Sequence, residues 1–129
     1  MEKKYRLLED DAIIVDGRTL YRIEALRDFA DVNKGDKGGY IESEINLSHE
    51  GNCWVSGSAC VFGDALVSGD ACVYGDACVY DNARVYDNAR VYDNARVYDD
   101  ARVYDDARVY GSACILGSAQ ISNGMITNV

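Results

Sequence analysis

Residues 79–108 read VYDNAR-VYDNAR-VYDNAR-VYDDAR-VYDDAR, a six-residue unit that recurs five times almost without change. The same frame runs without insertion from Val55 to Gln120, and Ile121 opens a further unit. The first position is always Val or Ile, the fifth is always Ala, and the third and fourth hold only Gly, Asp, Asn or Ser. Self-similarity at a short fixed period is the signature of a solenoid, so this repeat decides the fold.

Each unit combines a short strand with a tight turn. In residues 84–86 the order polar, apolar, amphipathic indicates a strand whose valine faces inward. Asp87 and Asn88 are typical turn residues, and Ala89 suits a corner where only a small side chain fits. One unit cannot bury its valine alone, so units must stack. We therefore expect about three strands and about 18 residues per coil.

Composition supports strands and excludes other classes. Val, Ala and Tyr outnumber Leu and Phe, and 12 glycines with no proline indicate turns made by residues that tolerate positive φ. Valine every six residues drifts around an α-helix and forms no apolar face. The strict inward spacing also argues against disorder. A net charge of −9 argues against direct nucleic-acid binding, which relies on Lys and Arg.

The repeat pattern resembles that of the bacterial transferase hexapeptide-repeat superfamily, in which an aliphatic residue is followed four positions later by a small one. That resemblance implies an all-β, left-handed parallel β-helix, here of about 4–5 coils. The segments 20–29, 35–42 and 46–48 also resemble the N-terminal region of an uncharacterised bacterial and phage subgroup. A phage or prophage origin is the corresponding expectation.

The chain divides into a cap, a regular helix and a tail within one structural domain. Residues 1–54 are expected to form an N-terminal cap and irregular first coils, residues 55–121 the regular β-helix, and residues 122–129 a tail. Residues 12–15 and 20–23 flank Asp-Gly, which predicts a β-hairpin. Residues 24–32 fit either a short helix or a continuing strand.

The tail is apolar at three positions, and the end of a solenoid must be covered. Either it folds across the last coil, or it pairs with another copy through Met125, Ile126 and Val129. We expect a homo-oligomer, either a dimer through this end or a trimer.

Positions 18 residues apart should lie in one column, about 4.8 Å apart per coil. Rows of tyrosine and arginine should therefore point outward, with acidic residues at the corners. The candidate binding residues are Tyr74, Tyr80, Tyr86, Tyr92, Tyr98, Tyr104, Tyr110, Arg84, Arg90, Arg96, Arg102 and Arg108. The acidic corner comprises Asp81, Asp87, Asp93, Asp99, Asp100, Asp105 and Asp106.

These rows have a structural and a functional interpretation. Structurally, tyrosines stack between coils, and arginine heads reach corner carboxylates such as Asp81 or Asp99. Functionally, Tyr and Arg anchor interfaces, or they hold a nucleobase and a phosphate. We expect a non-enzymatic binding or scaffold protein for a host protein or a small nucleotide-like ligand. The alternative function, carried by the corner aspartates, is that of an acidic inhibitor that mimics DNA.

The competing hypothesis is an enzyme. The resemblance implies a CoA-dependent acyltransferase whose general base is a histidine, and His49 beside Glu50 is the available candidate. Histidine suits this role because its pKa lies near working pH. However, no loop interrupts residues 55–120 to shape a donor site. We therefore expect no catalytic residue.

The cysteine pattern disfavours a metal centre. Five cysteines contain no CxxC pair, and one histidine accompanies them, so we expect free thiols in a reducing cytosol, with no metal and no cofactor. Cys60 and Cys78 should face each other in adjacent coils within disulfide reach, and whether they pair stays open. No apolar segment predicts a signal peptide or membrane span, so we expect a cytoplasmic protein.

Overall fold

The computed structural model describes residues 3–127. Most of these residues form coils whose short parallel strands stack into three flat faces. The strands are β1 (Tyr5–Val15), β2 (Arg18–Ala25), β3 (Lys37–Ile41), β4 (Trp54–Val55), β5 (Cys60–Val61), β6 (Leu66–Val67), β7 (Cys72–Val73), β8 (Cys78–Val79), β9 (Arg84–Val85), β10 (Arg90–Val91), β11 (Arg96–Val97), β12 (Arg102–Val103), β13 (Arg108–Val109), β14 (Cys114–Ile115), β15 (Gln120–Ile121) and β16 (Met125–Ile126). A single turn of 3-10 helix, Glu44–Asn46, lies between β3 and β4.

The three faces are defined by their strands. Face A contains β3, β5, β8, β11 and β14, face B contains β6, β9, β12 and β15, and face C contains β4, β7, β10, β13 and β16. Trp54 pairs with Cys72, and Arg90 pairs with Arg108, each an offset of one 18-residue coil. The all-β parallel solenoid with three strands per coil is therefore confirmed. Its left-handed winding stays a prediction of the resemblance.

The core is a column of valines lined by alanines. Every first-position Val from Val55 to Val109 and every fifth-position Ala from Ala59 to Ala113 is fully buried. Burying one such valine stabilises the fold by about 1.5–3 kcal/mol relative to exposing it. Because each coil contributes the same layer, buried side chains fill the interior of the described coils.

The corners explain the choice of Gly or Asp at the third position. These residues have positive φ at every unit, from 54° to 60° at Asp81, Asp87, Asp93, Asp99 and Asp105 and from 64° to 68° at the corresponding glycines. Gly adopts this conformation freely, and Asp tolerates it better than most residues. The predicted turn chemistry is confirmed.

The predicted N-terminal hairpin is also confirmed, and it is longer than expected. β1 and β2 pair antiparallel around Asp16 and Gly17, whose φ values of 52° and 77° suit a two-residue hairpin turn. β2 then pairs with β3, which joins the hairpin to face A. Residues 26–36 are neither helix nor regular strand, apart from a short antiparallel bridge between Phe29 and Val32.

The segment after Ile121 is wound into the last coil rather than folded across it. β16 pairs in parallel with β13, so that Arg108 lies beside Met125 at an offset one residue shorter than the regular coil. Within residues 3–127, no helix is long and apolar enough to cross a membrane.

Candidate functional site

The tyrosines form three continuous rows along the outside of the helix. On face C the rings of Tyr74, Tyr92 and Tyr110 stack at centroid distances of 4.9 and 5.2 Å. On face B Tyr86 stacks on Tyr104 at 5.1 Å. Face A carries the row Phe62, Tyr80 and Tyr98, with centroids 5.1 and 5.0 Å apart. The ring planes are parallel within 7°, so each face presents a flat aromatic ridge.

The sixth-position arginines lie beside these ridges, but they do not reach the corner acids. All five guanidinium-bearing residues are exposed, and among residues 3–127 none of them lies within 4.0 Å of a carboxylate. The expectation that their heads contact Asp81 or Asp99 is therefore wrong. The physical reason is that the third-position carboxylates turn along the helix axis toward the next coil.

Because these carboxylates point toward the next coil, they accept hydrogen bonds from its backbone. The Asp93 carboxylate accepts a hydrogen bond from the Gly111 amide at 3.1 Å, and Asp99 accepts one from the Gly117 amide at 3.0 Å. Asp81 and Asp87 make longer contacts of the same kind, at 3.3 and 3.4 Å. These carboxylates therefore stabilise the stack by bonding successive coils.

Two corner acids oppose each other directly. Asp105 follows Asp87 in one column, and loss of hydration together with the Asp87 carboxylate raises the pKa of Asp105. Asp100 and Asp106, at the fourth position, line shallow open clefts along two corners. In the described part of the chain, no group of three or more His, Cys, Asp or Glu side chains is arranged to hold a metal ion.

His49, the candidate base, is part of the N-terminal cap. Its Nδ1 accepts a hydrogen bond from the Lys4 backbone N–H at 3.1 Å, and its Nε2 contacts Glu44 Oε1 at 2.7 Å. Since Nδ1 accepts, the ring proton lies on Nε2 and is donated to Glu44. Hydrogen bonds from His49 and Lys3 lower the pKa of Glu44. The carboxylate that orients His49 is thus Glu44, whereas Glu50 was the residue expected beside it.

The cap also buries a lysine that the sequence reasoning did not single out. Lys4 is fully buried, and its Nζ donates to the Cys53 carbonyl oxygen at 2.7 Å and to Cys53 Sγ at 3.3 Å. Burial lowers the pKa of Lys4 and raises the pKa of the Cys53 thiol. No sequence signal joins these residues, because 49 positions separate them and neither belongs to the repeat.

Cys60 and Cys78 face each other as expected, and both are free thiols. They are not on an open surface, however, because Leu20 of the hairpin packs over Cys60 and Phe62. The adjacent Cys78 thiol and burial raise the pKa of Cys60. The hairpin therefore covers the lower part of face A.

The C-terminal end exposes one of the three apolar residues expected there. Met125 is 64% exposed, and Ile126 packs partly against the core column. Val129, the third residue of the predicted interface, lies outside the described residues. β14, β15 and β16 each end their face.

The comparisons with known proteins concern the repeats. A family model described as "YdcK Beta solenoid repeat" matches residues 77–91, 89–101 and 101–117. The repeat region is a hexapeptide-type β-solenoid. A curated protein of Escherichia coli (strain K12), "Uncharacterized acetyltransferase YdcK", is 42% identical over 60 residues, which cover 41% of this chain and 18% of that protein. This hexapeptide β-solenoid thus aligns with less than a fifth of that relative's length.

Proposed function

We propose that this hexapeptide β-solenoid is a non-catalytic binding scaffold whose faces B and C dock a narrow acidic segment of a partner protein. The observation that carries the proposal is the set of exposed arginines, none within 4.0 Å of a carboxylate in residues 3–127, beside stacked tyrosines. Arg and Tyr are the residue types that most often anchor interfaces. Such guanidinium groups are available for charge-assisted hydrogen bonds to carboxylates.

The arrangement of charge favours a narrow segment over a broad acidic surface. Faces B and C each carry two successive arginines, Arg84 with Arg102 and Arg90 with Arg108, whereas the corners on either side carry aspartates. A broad acidic surface would meet both corner rows, and like charges across an interface oppose association. An acidic peptide segment that lies along one face avoids that repulsion.

The alternative function is acyl transfer, which the name of the E. coli relative suggests. In a hexapeptide acyltransferase, the catalytic histidine needs a free ring nitrogen to accept a proton. Both His49 nitrogens are engaged, Nδ1 by a backbone N–H and Nε2 by Glu44. This engagement supports the non-catalytic proposal.

The second alternative is a DNA mimic that acts through the corner acids. A mimic must offer its carboxylates to a basic partner. Here Asp93 and Asp99 each accept a backbone N–H from the next coil. That structural role supports the faces over the corners as the binding surface. The phage origin, the cytoplasmic location and the homo-oligomer stay predictions.

The experiment uses a defined acidic probe. A fluorescently labelled polyglutamate peptide is titrated with the full chain, and its anisotropy is compared with that of a polylysine peptide of equal length. We expect saturable binding of polyglutamate that weakens with salt. The double variant Arg102→Gln and Arg108→Gln should weaken it at least tenfold. Arg6→Gln is the matched control, because Arg6 is paired with Glu24 and lies off the faces.

Two results would contradict the proposal. The first is equal weakening by Arg6→Gln, which would indicate unspecific attraction. The second is acetyl-CoA binding or acetyl transfer that His49→Asn removes while the face variants retain it. Binding is measured by thermal shift and transfer by mass spectrometry.

A further inference from the structure

A small cleft lies at the foot of face C, where residues 30–32 fold back over the first coil. Its volume is about 200 Å³, and its walls include Val32, Trp54 and Tyr74. The clefts along the corners are lined mainly by Gly, Asp, Asn and Ser. The cleft on face C therefore combines aromatic walls with a few polar groups, the composition typical of small-molecule sites.

The outer wall of the cleft is a tightly held turn. Phe29 and Val32 exchange two backbone hydrogen bonds of 2.9 and 2.8 Å across Ala30 and Asp31. Ala30 has a φ of 45°, a left-handed conformation that costs free energy in a residue other than glycine. The Phe29 ring packs edge-on against Trp54 at 5.2 Å and so anchors the turn. The wall is thus formed before any ligand arrives.

The polar groups at the cleft have opposite charge and stand on different elements. Arg90 projects from β10 beside Cys72, and it has no carboxylate within 4.0 Å in the described chain. Arg90 and Cys72 both line the cleft. Asp31 and Asn52 also line the cleft. The site thus offers an anion-binding group, a carboxylate acceptor and an amide.

We propose that this cleft binds a nucleoside monophosphate, with the heteroaromatic base in the cleft and the phosphate on Arg90. Tyr74 provides the aromatic surface for the base, since aromatic residues hold bases of any sequence through their π-faces. Trp54 is only 7% exposed and lines the cleft with that small part of its side chain. Asp31 accepts a hydrogen bond from an N–H group of the base. A simple aromatic anion such as benzoate has no such N–H group. Arg90 binds the phosphate with parallel hydrogen bonds. The cleft is too small for more than the base itself, so the ribose and phosphate lie at its mouth.

Trp54 makes the test direct, because it is the only tryptophan of the chain. Fluorescence excited at the red edge of tryptophan absorption is followed while the full chain is titrated with each of the four common nucleoside monophosphates. The matching nucleosides, inorganic phosphate and benzoate serve as comparison ligands. We expect saturable binding of at least one monophosphate, at least tenfold tighter than that of its nucleoside, of phosphate or of benzoate.

Variants separate the groups. Arg90→Gln should weaken monophosphate binding at least tenfold and leave nucleoside binding unchanged, while Asp31→Asn should weaken both. The matched control is Arg108→Gln, which changes the next arginine of the same column outside the cleft and should have no effect. Because Arg90 and Arg108 are both exposed, their variants should keep the parental melting temperature, which is measured alongside.

Several results would overturn the inference. These are no saturable response at millimolar ligand, benzoate binding as tight as that of the monophosphates, or equal weakening by Arg90→Gln and Arg108→Gln. The inference is independent of partner docking on the faces. If the full chain binds a monophosphate but not polyglutamate, only the docking proposal is rejected. If it binds polyglutamate but no monophosphate, only the proposal for this cleft is rejected.

Discussion

The imidazole ring of His49 lies flat against the phenol ring of Tyr5, with ring centroids 4.1 Å apart and planes inclined by 14°. The Tyr5 hydroxyl donates to the Leu47 carbonyl oxygen at 2.6 Å, and the Lys4 backbone N–H donates to His49 Nδ1. Ring stacking and two hydrogen bonds therefore hold the start of β1 against the segment that precedes the first regular coil. His49 in this setting stabilises the cap.

Replacement of His49 by alanine should destabilise the protein. The Lys4 N–H would lose its acceptor in a partly buried position, and an unmade hydrogen bond of this kind costs about 1–3 kcal/mol. We expect His49→Ala to lower the free energy of unfolding by that amount in urea denaturation. His49→Asn is the control, because its side-chain oxygen can accept the same N–H and should restore part of the loss. Unchanged stability in His49→Ala would show that the cap does not depend on this contact.

The repeat was predictable because every unit carries its own signal. Val85 and Ala89 reveal an inward face, and Asp87 reveals the turn, without reference to any distant residue. The cap and the cleft have no such period. The contact of Lys4 with Cys53 and the burial of Cys60 under Leu20 depend on how the hairpin docks, which is a tertiary event.

The same distinction applies to the arginines. Their column was predictable from the 18-residue spacing, because strand pairing sets it. Their lack of a carboxylate partner was not, because it depends on the direction in which the Asp93 and Asp99 carboxylates turn. Side-chain direction at a corner follows from the positive φ of that residue and the amide of the next coil, neither of which is visible in a single unit.

A methyl group at Gly39 should be too large for its site. A Cβ at this position would lie 2.6 Å from the Ala59 carbonyl oxygen and 2.8 Å from Val55 Cγ1. Overpacking of this kind costs about 1–3 kcal/mol, so Gly39→Ala should lower the free energy of unfolding by that amount. Gly117→Asn is the control, because no atom lies within 4 Å of its Cβ site, Asn tolerates the positive φ of 64° there, and it adds no charge beside Asp99. If Gly39→Ala proves as stable as the parent chain, β3 does not pack against the first coil as described.

The last coil should pair with a second copy of the chain. Leu116 and Met125 are 46% and 64% exposed, and β14, β15 and β16 end their faces. We expect light scattering at micromolar concentration to give twice the chain mass. The double variant Leu116→Lys and Met125→Lys should give a monomer with an unchanged far-UV circular dichroism spectrum. Ile14→Lys, which changes an equally exposed residue on the hairpin, should leave the dimer intact. A monomeric parent chain would refute the prediction.

Removal of one carboxylate from the Asp87 and Asp105 pair should stabilise the protein at neutral pH. The pKa of Asp105 is raised above its ordinary value of 3.8 by loss of hydration and by Asp87, so the folded state holds this proton more tightly than the unfolded state. The unfavourable contribution of Asp105 to stability therefore grows as the pH rises from the ordinary pKa of this residue to its raised pKa. It reaches its full size above both pKa values. We expect Asp105→Asn to have a higher melting temperature than the parent at pH 7. At a pH below the ordinary pKa of Asp105, the two melting temperatures should be equal.

Asp93→Asn is the control that separates local repulsion from net charge. It removes the same charge from a chain of net charge −9, but its column neighbours are Gly75 and Gly111, which carry none. Its carboxylate also accepts the Gly111 amide at 3.1 Å, and a hydrogen bond to a charged acceptor is stronger than one to an amide. Asp93→Asn should therefore melt at or below the parental temperature. Equal stabilisation by both variants would assign the effect to the overall charge, and the Asp87 and Asp105 contact would then have no special role.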